Sequence, residues 1–290
     1  MNVSTNNPSA QFFPGFLSAL EVLEPYLDTL VLAGGWVPFA YHYHLGRSAA
    51  ERAPLTRDID IVVPKKIPLR RASIDTLLKK AGLDCEFRSI SEPPVTAYVG
   101  RIGEDDVEVE FLTHAPGDSE DIVEVQPGLT AQSLHYMNLL YDNTWNCELE
   151  RVSDEGHPLL IRVPTPAAFV VNKGIVYRKR REQLKKAKDL FYLFHVLATY
   201  GEEWNTWIRS DLAVLTRKHP KWLRRMATSL ESDFLSVERP HVQAVVGQRP
   251  AGFLADLNDA QLAQYVFDVV REFAQIVFDL LALPNQECKE

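Results

Sequence analysis

Residues 56–63 read Thr-Arg-Asp-Ile-Asp-Ile-Val-Val, and they constrain the fold more than any other stretch of the chain. Acidic and apolar side chains alternate there before Pro64 ends the run. An extended strand separates them: with a two-residue period, Asp58 and Asp60 point to one face while Ile59 and Ile61 point to the other. The apolar face demands a core. The acidic face sets two carboxylates side by side, and a hard, oxygen-seeking cation such as Mg2+ relieves their repulsion. Just upstream, residues 31–36 read Val-Leu-Ala-Gly-Gly-Trp. That pattern predicts a short buried strand ended by Gly34 and Gly35, then a helix over 36–45 with Pro38 confined to its first turn. A turn without side chains at a helix start lets backbone N–H groups approach phosphate oxygens.

A second alternating run, Val-Glu-Val-Glu-Phe-Leu over 107–112, puts Glu108 and Glu110 on one face of a strand. Beside the 58–63 strand it would add a third carboxylate. Three carboxylates around two divalent cations suit nucleotidyl transfer, in which metals neutralise triphosphate charge and stabilise the leaving pyrophosphate.

The remaining pattern predicts helices over 16–28, 68–81 and 131–141, with Pro25 near the end or at a bend of the first and Gly82 stopping the second. Extended runs are expected at 85–90 and 95–100, and a hairpin at 148–152 and 159–163 around Asp154, Glu155 and Gly156. Beyond Pro164-Thr165-Pro166 the chain turns helical, with helices at 167–177, 182–200, 204–218, 220–235 and 259–283. The expected class is therefore α+β: a mixed sheet with flanking helices over 1–163, followed by a mostly helical domain over 164–290.

Charge and cysteine usage narrow the function. A net charge of −8 argues against indiscriminate coating of nucleic acid, which rests on a surplus of Lys and Arg, but leaves room for a local basic strip. Acids crowd 104–124, whereas 178–188 holds seven basic residues and one acid. Cys85, Cys147 and Cys288 are far apart and lack CxxC spacing, which points to a reducing, cytoplasmic setting. Residues 1–10 lack the pattern of a signal peptide, and no apolar run reaches membrane-spanning length, so no membrane partner is expected. His42 and His44 read as an aromatic packing surface with Tyr41 and Tyr43. His114 follows the Glu110 strand closely enough to line a cleft there. Trp204, Trp207, Trp222 and Phe234 suit helix-packing cores, and no Ser-His-Asp order or nucleophilic cysteine setting is evident. Lys173, within the apolar run 167–177, reads from the residues alone as snorkelling to solvent as readily as contacting phosphate.

The order of these parts resembles the polymerase-beta-type nucleotidyltransferase superfamily: strand, Gly-Gly, helix, then Thr-x-Asp-hydrophobic-Asp, then a strand with an acid and hydrophobics. More closely it is similar to bacterial nucleotidyltransferase-fold proteins related to the abortive-infection and toxin-antitoxin nucleotidyltransferases. Val109 to Thr113 resembles that group's acid-hydrophobic-Leu-Thr run, Val163 to Lys173 its Pro-x-Pro-to-Lys helix, and Arg178 to Asp189 its basic run ending in Lys-Asp. The resemblance covers about 30–197. It implies Gly34 and Gly35 against the triphosphate, Asp58, Asp60 and Glu110 as catalytic metal ligands, and Glu110, the third acid, also helping to deprotonate the attacking hydroxyl. It also implies Lys173, Lys188 and Asp189 near the nucleotide, from a helical domain that closes the nucleotide cleft. Two positions depart from the pattern: Trp36 follows the glycines where many members carry a small or hydroxylated residue, and the third acid is Glu rather than the commoner Asp.

The expected activity is transfer of a nucleoside monophosphate from an NTP such as ATP to a hydroxyl, dependent on a two-metal Mg2+ site that Mn2+ can also fill. The acceptor is an RNA or tRNA end or a protein side chain, in a toxin-like enzyme with an antitoxin protein as partner. The alternatives are a small-molecule (antibiotic) nucleotidyltransferase, or a non-catalytic module that binds NTP or a partner on the same fold.

Overall fold

The computed structural model describes residues 14–44, 56, 58–88, 95–117, 119–153, 156–200 and 208–283. Outside the described residues lie the N-terminal segment 1–10, Leu45, the loop 46–55, the Ile90 end of one extended run, Asp154 and Glu155, Trp204 and Trp207, and Cys288. The described residues form two compact units, one up to Pro164 and the other from Thr165 onward.

The first unit is built on a nine-stranded mixed sheet. In chain order it comprises α1 (Pro14–Val22), β1 (Val31–Leu32), α2 (Val37–His44), β2 (Asp58–Val62), α3 (Ile74–Lys80), β3 (Leu83–Phe87), β4 (Thr96–Ile102) and β5 (Asp105–His114). It continues with β6 (Ile122–Gln126), β7 (Leu129–Leu134), α4 (Met137–Asp142), β8 (Thr144–Leu149) and β9 (Leu159–Pro164). The strand order is β3-β4-β5-β2-β1-β9-β8. β5 is the spine: it runs antiparallel to β4 through its first half, parallel to β2 over Glu108 to Leu112, and parallel to β7 at its end. Ile59, Ile61, Val107, Val109 and Phe111 are buried as alternation requires. α2 is tied to β9 by the Tyr41 hydroxyl, which donates to the Pro164 carbonyl at 2.6 Å.

Local chemistry corrects several sequence expectations. Residues 16–28 are not one helix: α1 ends at Val22, and Pro25 sits in a separate 3-10 turn, Glu24–Tyr26. Instead of a helix from residue 68, α3 begins at Ile74, because Ser73 caps it by accepting from the Thr76 N–H. The preceding residues are held by Tyr26, whose hydroxyl accepts from the Arg70 N–H and donates to the Ala72 carbonyl, both at 2.8 Å. Residues 131–141 are also not one helix. β7 takes the first part, recruited by the free edge at the end of β5 and by a hairpin from β6 that turns at Gly128, φ 79°. α4 takes the rest.

The second unit is helical over its described residues: α5 (Pro166–Val176), α6 (Gln183–Thr199), α7 (Arg209–Lys218), α8 (Pro220–Asp233), α9 (Pro240–Val246) and α10 (Asp259–Ala282). α5 is its axis. Every residue from Pro166 to Gly174 is buried, and Thr165 caps the helix by accepting from the Ala168 N–H at 3.3 Å. At Gly174 an added Cβ would lie 2.7 Å from the Met226 sulfur of α8, so the helices approach as closely as glycine permits.

Candidate active site

β1 leads through extended Ala33 into Gly34, whose φ of 65° begins a 3-10 turn, Gly34–Trp36, that feeds α2. The Ala33 N–H donates to the Asp60 carbonyl at 2.8 Å, tying this turn to β2. A Cβ on Gly34 would fall 1.8 Å from Asp60 Oδ2, so the Asp60 carboxylate occupies the space that a side chain at Gly34 would need. Gly34 and Asp60 therefore form one feature, a backbone turn closed against a carboxylate. Trp36 does not stand in its way. Its indole is buried, stacked on Phe16 of α1 at 4.1 Å and edge-on to Phe39 of α2 at 5.6 Å. Tyr41 and His42 are likewise buried, and His44 lies 5.5 Å from the Trp145 ring, so this helix packs through its aromatic residues as its sequence suggests.

β2 and β5 are parallel and in register, with Asp58 beside Glu108 and Asp60 beside Glu110. All four acids share one face of the sheet. Glu110 is buried and Asp60 half-buried. Glu108 is tied to Arg88 at 3.3 Å, a partner that the sequence could reveal only once the sheet register was known. Further along the same face Leu112 belongs to an apolar cluster with Val31, Ala33, Val62, Met137 and Leu140. His114, beyond it, lines a separate cavity of about 390 Å³ with Lys65, Ser119, Asp121 and Ser133. Burial, helped by the Lys65 charge, lowers its pKa.

Carboxylate oxygens are the donor type that a hard divalent cation takes. Register partners on adjacent strands lie about 4.8 Å apart, and Asp and Glu side chains can span that gap around one ion. Among the described residues no group of three or more His, Cys, Asp or Glu side chains is gathered tightly enough to hold a metal. The backbone thus aligns Asp58, Asp60 and Glu110 on one face, with their carboxylates not gathered into a metal-holding group.

In the second unit Lys173 does not snorkel. Its ammonium is buried 2.8 Å from Asp189 Oδ1 and lies over the Phe169 and Tyr192 rings, at 5.5 and 5.4 Å from their centroids. Asp189 also binds Arg180 at 2.7 Å through its other oxygen. Burial pushes the Asp189 carboxyl up, but Lys173 and Arg180 more than offset this and hold it below its ordinary value. Lys188, half-buried, sits 6.0 Å from the Tyr192 ring. Arg180, which completes the Asp189 pair, was not singled out by sequence reasoning; a cation among six others in one run carries no mark of its partner.

The family model described as Nucleotidyltransferase matches residues 14–213, and the chain belongs to that family. The chain is also similar to the solved structure of an antigenic nucleotidyltransferase-like protein from Paracoccidioides brasiliensis, at 13% identity and a TM-score of 0.36, over 73% of this chain and 92% of that one. Among curated proteins nothing matches. No helix of the described residues is long and apolar enough to cross a membrane.

Proposed function

We propose that the protein transfers a nucleoside monophosphate from an NTP to a hydroxyl on an RNA end, with a protein side chain or a small molecule as the competing acceptors. The observation that carries this reading is the Gly34 turn packed against Asp60 with Glu110 in register beside it. Backbone N–H groups at Gly34 and Gly35 would receive triphosphate oxygens, a role that tolerates no side chain. Asp58 and Asp60 would hold divalent metal, Mg2+ with Mn2+ as substitute. When bound, the metal would neutralise triphosphate charge and lower the pKa of the attacking hydroxyl. Glu110, buried and next to Asp60, would take the acceptor proton. The buried Lys173–Asp189 pair would act indirectly by fixing Arg180, which is 40% exposed, with Lys188 on the same helix as Asp189. By resemblance, the acceptor chemistry of a toxin paired with an antitoxin protein fits the same core.

The test is incubation with α-labelled NTPs, Mg2+ or Mn2+, and total RNA. Label should move to RNA, and Asp60→Ala should reduce transfer by at least roughly a hundredfold, the scale of losing a group that acts only in the transition state. NTP binding by calorimetry without transfer under either metal would instead identify a non-catalytic binding module.

A further inference from the structure

α7 and α8 meet at a single residue, His219, which ends one helix and starts the other with Pro220 at the first turn. His219 donates its N–H to the Leu215 carbonyl at 2.8 Å and accepts from the Trp222 and Leu223 N–H groups at 3.0 and 3.1 Å, so the corner is fixed by its own backbone. Around it, residues 217–225 read Arg-Lys-His-Pro-Lys-Trp-Leu-Arg-Arg, five cations without an acid on a chain of net charge −8. Arg217, Lys218, Lys221, Arg224 and Arg225 are all exposed. On α8, Lys221 lies three and four residues from Arg224 and Arg225, which sets the three on one face, while Leu223, Met226 and Ala227 face the core.

Like charges at this spacing repel, so fold stability gives no reason for them. Among the described residues none of the five has an ion pair. The basic run 178–188 differs: Arg178 pairs with Asp233, Arg180 with Asp189 and Lys185 with Glu182. Within the uncompensated patch the half-buried Trp222 indole stacks on His219, ring centroids 4.4 Å apart and 4° from parallel.

We infer that this α7–α8 corner is an RNA-docking surface. Its cations contact backbone phosphates, and the His219–Trp222 stack meets an unpaired base. Cations interleaved with a flat ring are the means by which single-stranded nucleic acid is held without sequence preference. A membrane partner would need a continuous apolar stripe among the cations, and the exposed face of α8 here offers Lys221, Arg224, Arg225 and Thr228, with the half-buried Trp222 and the exposed Val214 of α7 standing singly. A protein partner would need an apolar interface core, from which lysine is depleted. The choice of RNA rests on the proposed transfer to an RNA hydroxyl.

The test measures binding of fluorescent tRNA by anisotropy across a salt series, for the wild type and K221Q/R224Q/R225Q. The triple variant changes exposed side chains, and an unaltered circular dichroism melt verifies its fold. Removing three phosphate contacts should lower the slope of log K against log salt by about 2 to 3 and weaken binding at least tenfold at low salt. An unchanged slope and affinity, or a wild type that prefers polyglutamate or anionic vesicles to tRNA, would overturn the inference. Failure of the transfer reading is distinguishable. If Asp60→Ala binds tRNA like the wild type while the triple variant does not, docking stands even if no label ever moves. If label reaches RNA equally in the triple variant, docking falls and transfer stands.

Discussion

Gly34 occupies the left-handed region at φ 65°, where an L side chain costs roughly 1–2 kcal/mol. Its missing Cβ leaves the space that Asp60 Oδ2 fills. Gly34→Ala should therefore destabilise the fold by at least about 1–2 kcal/mol in urea unfolding and weaken NTP binding, because Asp60 must turn away from the turn that it faces. The two effects separate in an Asp60→Ala background. There the carboxylate clash is gone and the strained φ remains, so Gly34→Ala should cost measurably less than in the wild type, and equal costs in both backgrounds would show that the contact is without consequence. At this scale the sequence was partly legible. The glycine pair and the Asp-x-Asp alternation could be read because each is local, one a loss of side chains and the other a two-residue period. That Gly34 meets Asp60 is set by β1 pairing with β2, and that Trp36 turns onto Phe16 is set by α1 packing; neither leaves a trace within a window of a few residues.

At the scale of elements, the Lys173–Asp189 pair fastens α5 to α6. Removing one partner of a buried pair strands the other charge, so Asp189→Asn should lower stability by about 3–5 kcal/mol at neutral pH. The pH dependence has a definite sign. A carboxyl held below its ordinary value of 3.8 contributes stability that is complete above that value and is lost as pH falls through it toward the folded value. Unfolding midpoints measured at pH 7 and pH 3 should therefore differ less in Asp189→Asn than in the wild type. Long helices such as α6, α8 and α10 were legible because a 3.6-residue period sustained over several turns outweighs local ambiguity. The β6–β7 hairpin was not. Leu129 to Leu134 (LTAQSL) has little alternation of its own, and it is a strand because β5 extends past β4 and presents an unpaired edge. α9 was missed for a related reason: seven residues between two turns give a periodicity too short to recognise.

At the scale of the whole molecule, two compact units meet in sequence at Pro164 and Thr165, and each has its own core: the sheet around β5 in one, and the buried axis α5 in the other. Units with separate cores need not unfold together, so the calorimetric enthalpy should exceed the van't Hoff value, and hydrogen exchange should assign two transitions to residues on either side of the boundary. Gly34, Asp58, Asp60 and Glu110 all lie in the first unit. Ligand that binds only the folded form stabilises by mass action, so a non-hydrolysable NTP with Mg2+ at a hundred times its Kd should raise the stability of that unit by about 2.7 kcal/mol. Asp60→Ala should abolish the rise. A rise that survives Asp60→Ala would mean that the triphosphate is held elsewhere than at the Gly34 turn, whereas its loss would tie nucleotide affinity to the one feature that β1, β2 and β5 together assemble.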